Sequence, residues 1–334
     1  MKNRDRLFGV LVPLISVLLA FLIGCVIMAI LGASPAAALA ALWKGAFGNA
    51  RNIGTTLARS TPLIFTSLCA CFAYRCGVFN LGGEGQFLMG SVVCCYIATQ
   101  SGIVGLPAIL LCILAGGLAG GFWAAIPGVL KIYRGQNEMI ISIMLNYVAT
   151  LFMGVIYTNW LRDGNVPQTM SVPDESKLSR LFGLRCTSAF VIAVVIGLLI
   201  YYFLFNTSMG FRLRAVGLNM TASEFNGFAV KRYILFSFVI SGVIAGFGAG
   251  YGFDGVSMAL IAQLHPLASI LVAIFFAALR VGSTTMQTAT GVPTSVSEII
   301  QALVIVFTVA GLAMVKLPEF KVFLDRLLPA RKEA

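Results

Sequence analysis

The sequence predicts an all-α fold: a polytopic membrane helix bundle of about eight to ten spans, with broken or re-entrant segments and an inverted repeat. Two observations carry this prediction. Of 334 residues, 59% are hydrophobic and only 10% charged, with a mean hydropathy of +0.95, whereas soluble globular chains carry about 25% charged residues. One water-soluble core of this length cannot hide so much apolar surface, which leaves lipid as the solvent. Secondly, the cations fall in short clusters between apolar runs: Lys2, Arg4 and Arg6; Lys131 and Arg134; Arg212, Arg214, Lys231 and Arg232; Arg331 and Lys332. That is the pattern of the positive-inside rule. The net charge of +11 is therefore a topological signal, and no basic stripe suited to nucleic acid forms.

A spanning helix needs roughly 20 apolar residues. Candidate spans lie near 7–31, 53–73, 86–100, 105–130, 137–158, 187–205, 233–252, 266–281 and 295–315. The first apolar run is too long for a signal-peptide core of about 7–15 residues, so it is read as a retained span. Starting inside, the basic residues at 131–134 and 206–232 fall on the cytoplasmic side, Arg75 agrees, and the mixed-charge loop 159–186 falls outside. Nine crossings would leave the basic tail outside. One late segment is therefore expected to enter and return, with 255–281, interrupted by His265-Pro266, as the best place. The chain reads as one transmembrane domain, 1–334, with a cytoplasmic loop at 206–232 and a cytoplasmic tail at 316–334.

Two edge segments read as interfacial. Ser34 as N-cap and Pro35 at the first helical position open a short helix to about Phe47. In the tail, Phe320, Phe323, Leu324 and Leu327 share one helical face opposite Lys321, Asp325 and Arg326, as in a helix lying on a membrane surface. Between the spans, Gly242, Gly246 and Gly250 recur every four residues, as do Gly116 with Gly120 and Gly117 with Gly121. In lipid, such spacing lets helix backbones approach closely.

No catalytic constellation is present: His265 is the single histidine, and neither HExxH, Gly-x-Ser-x-Gly nor a phosphate loop occurs. The eight cysteines have no zinc-ligand spacing and read as small buried hydrophobes. No cofactor or metal is expected. What remains is polar groups at membrane depth, where a charge costs about 2.5–3.5 kcal/mol on insertion scales. The first set is Phe79-Asn80-Leu81-Gly82-Gly83-Glu84-Gly85-Gln86, in which three glycines break a helix amid Asn80, Glu84 and Gln86. The second, Gly252-Phe253-Asp254-Gly255, echoes it, and paired interruptions suggest an inverted repeat. The third is Gln136-Asn137-Glu138, where Asn137 or Gln136 caps the next helix and Glu138 suits its dipole, or the set lines a path, with Asn146 inside that helix requiring a partner. His265 either contacts solute or caps a half-helix. The fourth set is the loop 210–227, where Thr221 and Glu224 read as a capping box and Gly227 as a C-terminal stop. A short capped helix presenting Met220 and Phe225 reads as a docking knob for a cytoplasmic partner.

Four of these segments resemble the permeases of binding-protein-dependent ABC importers for branched-chain amino acids, simple sugars and nucleosides. They are Arg75-Cys76-Gly77-Val78 through Gln86; Asn137-Glu138-Met139-Ile140 through Met144-Leu145-Asn146-Tyr147; Arg212 through Gly227; and Gly252-Phe253-Asp254-Gly255 through His265-Pro266. The likeness covers roughly residues 50–315, and Thr290-Gly291-Val292-Pro293 tilts it toward the nucleoside subgroup. The resemblance implies an inner-membrane dimer of permeases, two ATPase subunits that bind the ATP, and an external solute-binding protein. It implies that the helix near 221–227, with Arg212, Arg214, Asn219, Thr221, Glu224, Phe225 and Gly227 around it, couples to the ATPase. Asn80, Glu84, Gln86, Asn137, Glu138, Asn146, Asp254 and His265 are the expected pathway residues. An ion-coupled secondary transporter and a membrane-embedded enzyme are the rivals; the first wants paired intramembrane acids, the second a reactive cluster at depth.

Overall fold

A computed structural model describes residues 2–164, 166, 168–180, 186–247 and 252–316. The expected surface helix around Phe320 and the third glycine of the stripe, Gly250, lie outside the described residues. The chain falls into two compact units, one of residues 1–48 and 278–334 and the other of residues 49–277.

The first unit holds α1 (Lys2–Ile30), α2 (Pro35–Phe47), the last part of α12 (Pro266–Thr290) and α13 (Ser295–Lys316). Helices α1 and α13 run antiparallel, because Gly24 faces Ile300 while Gly311 faces Val12. Close approach of Gly45 to Gly282 and Thr285 seats α2 on α12. Pro35 starts α2 as predicted, but Ser34 makes no side-chain capping bond. The fixed φ of proline and its missing N–H suffice there.

The second unit contains α3 (Ala50–Arg75), α4 (Gly83–Gln100), α5 (Leu106–Arg134), α6 (Glu138–Ile156), α7 (Ala189–Asn206), α8 (Ser208–Leu218), α9 (Met220–Phe225), α10 (Val230–Gly246), α11 (Gly252–Ile261) and the start of α12. A π-turn, Tyr157–Leu161, extends α6. Among the described residues, seven helices are long and apolar enough to cross a membrane: α1, α3, α5, α6, α7, α12 and α13. The predicted spans at 86–100 and 233–252 correspond to the shorter α4 and α10, of 18 and 17 residues. Helix α3 is the buried centre of this unit: 78% of its apolar window is buried, against 22% for α6 and α7. This explains its low mean hydropathy of 1.2, since a helix surrounded by protein can carry small hydroxyls. Ser60 and Thr61 donate to the Leu57 carbonyl, and Thr66 to those of Pro62 and Leu63.

The returning segment needs correction. The break at His265-Pro266 is real, but α12 runs 25 residues rather than ending near 281. Ser283, Thr284, Thr288 and Thr290 all return their hydroxyls to carbonyls of the same helix, which lets a polar stretch stay helical without outside partners. The short element is α11 instead. Its 10 residues cover about 15 Å, half of a hydrocarbon core. It lies along the second half of α3, with Gly255 against Thr66 at its start and Arg75 reaching the Leu264 carbonyl beyond its end.

The glycine stripes meet as the spacing predicts. Gly120 and Gly121 of α5 face Gly242, Gly246, Val239 and Val243 of α10, and Gly90 of α4 joins the same junction against Gly246 and Gly116. A Cβ on Gly90 would lie 2.8 Å from the Gly246 carbonyl oxygen and 2.9 Å from that of Gly116. Both neighbours are backbone, which cannot swing aside. Gly90→Val is therefore expected to cost about 1–3 kcal/mol through overpacking, read as a lower thermal midpoint in detergent. Gly154→Ala, at a position with nothing within 4 Å, should leave the midpoint unchanged.

Candidate functional site

The first predicted motif forms a knot of carboxamides at the α3–α4 break. Gly77, at φ +74°, closes α3, with its N–H bonded to the Tyr74 carbonyl and that of Val78 to Ala73. Asn80 and Gln86, each 1% exposed, pair reciprocally: Asn80 Nδ2 donates to Gln86 Oε1 at 3.0 Å, and Gln86 Nε2 to Asn80 Oδ1 at 2.8 Å. Asn80 Nδ2 also donates to Ser241 Oγ of α10 at 2.7 Å, and its Oδ1 accepts from the Gly82 N–H at 3.0 Å. Asn146 completes the knot from α6. Its Oδ1 accepts from the Gly85 N–H at 2.9 Å and its Nδ2 donates to the Leu81 carbonyl at 3.0 Å. Asn146 is thus an N-cap supplied in space rather than in sequence, satisfying a donor that the first turn of α4 leaves open. Glu84 stands apart. It is half-buried in the first turn of α4, where the helix dipole favours a carboxylate, and forms no ion pair among the described residues.

The remaining pathway candidates are not gathered here. Asn137 caps α6, accepting from the Met139 N–H at 2.9 Å, and Glu138 pairs with Lys131 of α5 at 2.5 Å. Asp254 sits in the first turn of α11, and His265 lies beyond its far end, just before α12. The His265 ring packs on Tyr201 at 5.4 Å and Phe205 at 5.5 Å between centroids. Burial, then the Arg75 charge, push its imidazole below the usual range. The eight predicted residues therefore divide among the carboxamide knot, Glu84 apart from it on α4, the α5–α6 turn and the two ends of α11.

A second constellation is the exposed pair α8 and α9. Thr207 caps α8, accepting from the Gly210 N–H at 3.0 Å. The expected capping box of Thr221 and Glu224 is not formed: Asn219 caps α9 by accepting from the Ala222 N–H at 2.9 Å. With Asn219 as cap, Thr221 is the second residue of the helix, beyond the position from which a side chain reaches the open N–H groups. Gly227 does end the helix, at φ +78°, with its N–H on Glu224 and that of Phe228 on Ser223, the Schellman pattern. Phe225 and Leu218 are 89% and 88% exposed. The two arginines diverge: Arg212 is exposed and lies over the Phe228 ring, while Arg214 turns inward over Phe205. Beside α9 is a hollow of about 630 Å³, lined by Met209, Arg212, Gly227, Phe228, Arg232 and Tyr233.

Sequence reasoning missed Ser241, hidden in the glycine stripe of α10, and Cys69, whose sulfur lies 3.7 Å from Asn80 Nδ2. It also took Arg75 as a topological marker and the first residue of a family motif, with no role of its own. Asn146→Leu is expected to strand the Gly85 N–H and the Leu81 carbonyl, each buried polar group costing about 1–3 kcal/mol. Its thermal midpoint should fall further than that of Asn137→Ala, whose lost cap is exposed.

A family model described as branched-chain amino acid transport system / permease component matches residues 52–251. The guanosine ABC transporter permease protein NupP of Bacillus subtilis is 32% identical, over 92% of this chain and 95% of its own. The nucleoside ABC transporter permease protein NupB of Lactococcus lactis subsp. cremoris is 33% identical, over 96% of each. The glucose ABC transporter permease protein TsgB13 of Haloferax volcanii is 29% identical, over 90% of this chain and 87% of its own. No solved structure matches. With the broken-helix knot, the glycine junction and the match across most of its length taken together, this multi-pass membrane chain belongs to the permease component family of the branched-chain amino acid transport systems.

Proposed function

We propose that this chain is the permease subunit of an ATP-driven importer for nucleosides, working with cytoplasmic ATP-binding subunits, a second permease subunit and an external solute-binding protein. The observation that carries this reading is α9, a short, doubly capped helix holding Phe225 almost fully in the open, with Leu218 equally exposed beside it at the end of α8. Large apolar side chains so exposed mark a partner surface, and a helix capped at both ends offers that partner a rigid shape. The adjoining basic hollow supplies a place for a partner segment.

The end of this unit bearing α8 and α9 also carries Arg75, Arg212, Arg214, Lys231 and Arg232; Gly217 touches Arg75, and the Cys76 thiol points to the Tyr233 carbonyl. The positive-inside rule puts this end in the cytoplasm, where an ATPase would meet it, and the clusters Lys2, Arg4 and Arg6, and Arg331 and Lys332, assign both termini to the cytoplasm by the same rule. ATP is bound by the partners; this subunit supplies the conduit. Closure of the ATPase dimer would displace α8 and α9 and shift the bundle between inward- and outward-open states. In that scheme Asn80, Gln86 and Asn146 shape the path by holding the helix break, and Glu84 is the carboxylate left for the solute side.

Nucleosides are favoured because NupP and NupB, the relatives matched over most of both chains, are described as guanosine and nucleoside permeases. The glucose permease of Haloferax volcanii keeps a sugar as the second reading. Proteoliposomes holding the full complex decide between them: guanosine uptake driven by ATP and loaded receptor is the expected result, and solute uptake by this chain alone, without nucleotide hydrolysis, overturns the reading. Phe225→Ala should weaken ATPase docking about thirtyfold, corresponding to about 2 kcal/mol for loss of an interface hot spot, measured by titrating the ATPase subunit. Glu84→Ala should abolish uptake while assembly persists; full uptake would remove Glu84 from the path.

A further inference from the structure

Arg75 joins two parts of the second unit that neither the carboxamide knot nor the docking helix accounts for. Its side chain reaches the corner between α11 and α12: Nε donates to the Leu264 carbonyl at 2.7 Å and Nη2 to the Gln263 carbonyl at 3.3 Å. Those carbonyls belong to consecutive non-glycine residues in the left-handed region, Gln263 at φ 53° and Leu264 at φ 58°. The corner closes α11 with the same pair of bonds that ends α3 and α9, Gln263 N–H to Leu260 and Leu264 N–H to Ala259. In α3 and α9 the left-handed position is a glycine, Gly77 or Gly227; here a glutamine occupies it, a conformation that L-residues adopt at a cost. The cation of Arg75, placed on the carbonyls at the C-terminal end of α11, offsets that cost.

The backbone of the same residue carries the docking helices. A Cβ on Gly217, at the end of α8, would collide with the Arg75 carbonyl oxygen and lie 2.9 Å from both the Cys76 carbonyl carbon and the Gly77 nitrogen. The two backbones are in contact with no side chain between them to absorb movement. On the other side, the Phe205 ring lies 5.3 Å from the Arg75 guanidinium, 4.9 Å from that of Arg214 in α8, and 5.5 Å from the ring of His265. Helix α8, through the backbone, and α7 and the strained corner, through the guanidinium, thus converge on one residue, Arg75. A plain helix-end cap accounts for the two carbonyl bonds. It leaves unexplained why its backbone abuts Gly217 and why an α8 arginine shares its ring.

We infer that Arg75 is a positioning residue that transmits movement of α8 and α9 to the α11–α12 corner. Displacement of Gly217 shifts the Arg75 carbonyl, draws the guanidinium from Gln263 and Leu264, and frees a corner that is strained without it. Helix α11, carrying Asp254 in its first turn, then moves with the docking helix. This rests on the permease reading above, because it gives the movement from below a route into the membrane.

The test uses the whole complex, with ATPase subunits and receptor, in proteoliposomes. R75Q should still co-purify with the ATPase and retain basal ATP hydrolysis, yet lose stimulation by loaded receptor and at least about tenfold of uptake. R75K, with the charge but without the fork that spans two carbonyls, should fall between. In R75Q/Q263G the glycine accepts the left-handed corner without strain, restoring the thermal midpoint while uptake stays low. Wild-type uptake in that double variant would overturn the proposal, showing that Arg75 serves only to stabilise the corner. Gly217→Ala, which leaves Arg75 in place but pushes on its carbonyl, should likewise uncouple hydrolysis from uptake; normal coupling there would also overturn the proposal. Absence of ATP-driven uptake in the wild-type complex would instead strike the permease reading itself, so the two failures are distinguishable.

Discussion

A backbone N–H or C=O left without a partner costs free energy once protein or lipid shuts it from water, and the rest of this structure depends on how that demand is met where helices stop. The chain breaks helices at 76–82 and again at 262–265. At the first break, Asn80 and Asn146 take over the Gly82 and Gly85 donors and the Leu81 acceptor. At the second, Arg75 takes the Gln263 and Leu264 carbonyls. Asn146 and Arg75 come from helices distant in sequence, so each break fixes the position of another helix as well as its own. A polar group that would be costly alone becomes a tie between elements.

Close glycine contacts make those ties reachable. A Cβ on Gly85 would sit 2.8 Å from Asn146 Oδ1, and one on Gly82 would sit 2.8 Å from Gln86 Nε2. The same residues that interrupt the helix also admit the carboxamides that repair it. Further along, the Gly90, Gly116 and Gly246 backbones nest at one point, holding α4, α5 and α10 together where lipid supplies no hydrophobic drive for association. Dense backbone packing of this kind changes arrangement in steps rather than by gradual deformation.

The charged and aromatic residues follow a different logic. Phe225, Leu218, Thr221 and Glu224 point away from the second unit, so their arrangement satisfies nothing within it. Arg214, Arg75, Phe205 and His265 turn inward and pack on one another. One short loop therefore presents a face outward and anchors itself inward through neighbouring residues of like charge, Arg212 and Arg214, two positions apart on α8.

The sequence by itself determined the solvent, the helical class, the glycine seams, the breaks near Gly82 and His265, and the stop at Gly227, because each follows from composition or from contacts within a few residues. It also located the residues of the carboxamide knot. It did not reveal their work: Asn80, Gln86 and Asn146 were legible as polar groups needing partners, but the partners lie up to 161 residues away, in Ser241. The same blindness misread the cap of α9, where Asn219 rather than Thr221 took the position, and ended α12 too early, because hydroxyl back-bonding offsets polarity that a hydropathy reading counts as a stop. Arg75 is the clearest case. Its charge was visible in sequence, yet only folding brought it to a left-handed corner 188 residues on, since spacing along a chain encodes local geometry and close packing of helices decides which distant groups must satisfy one another.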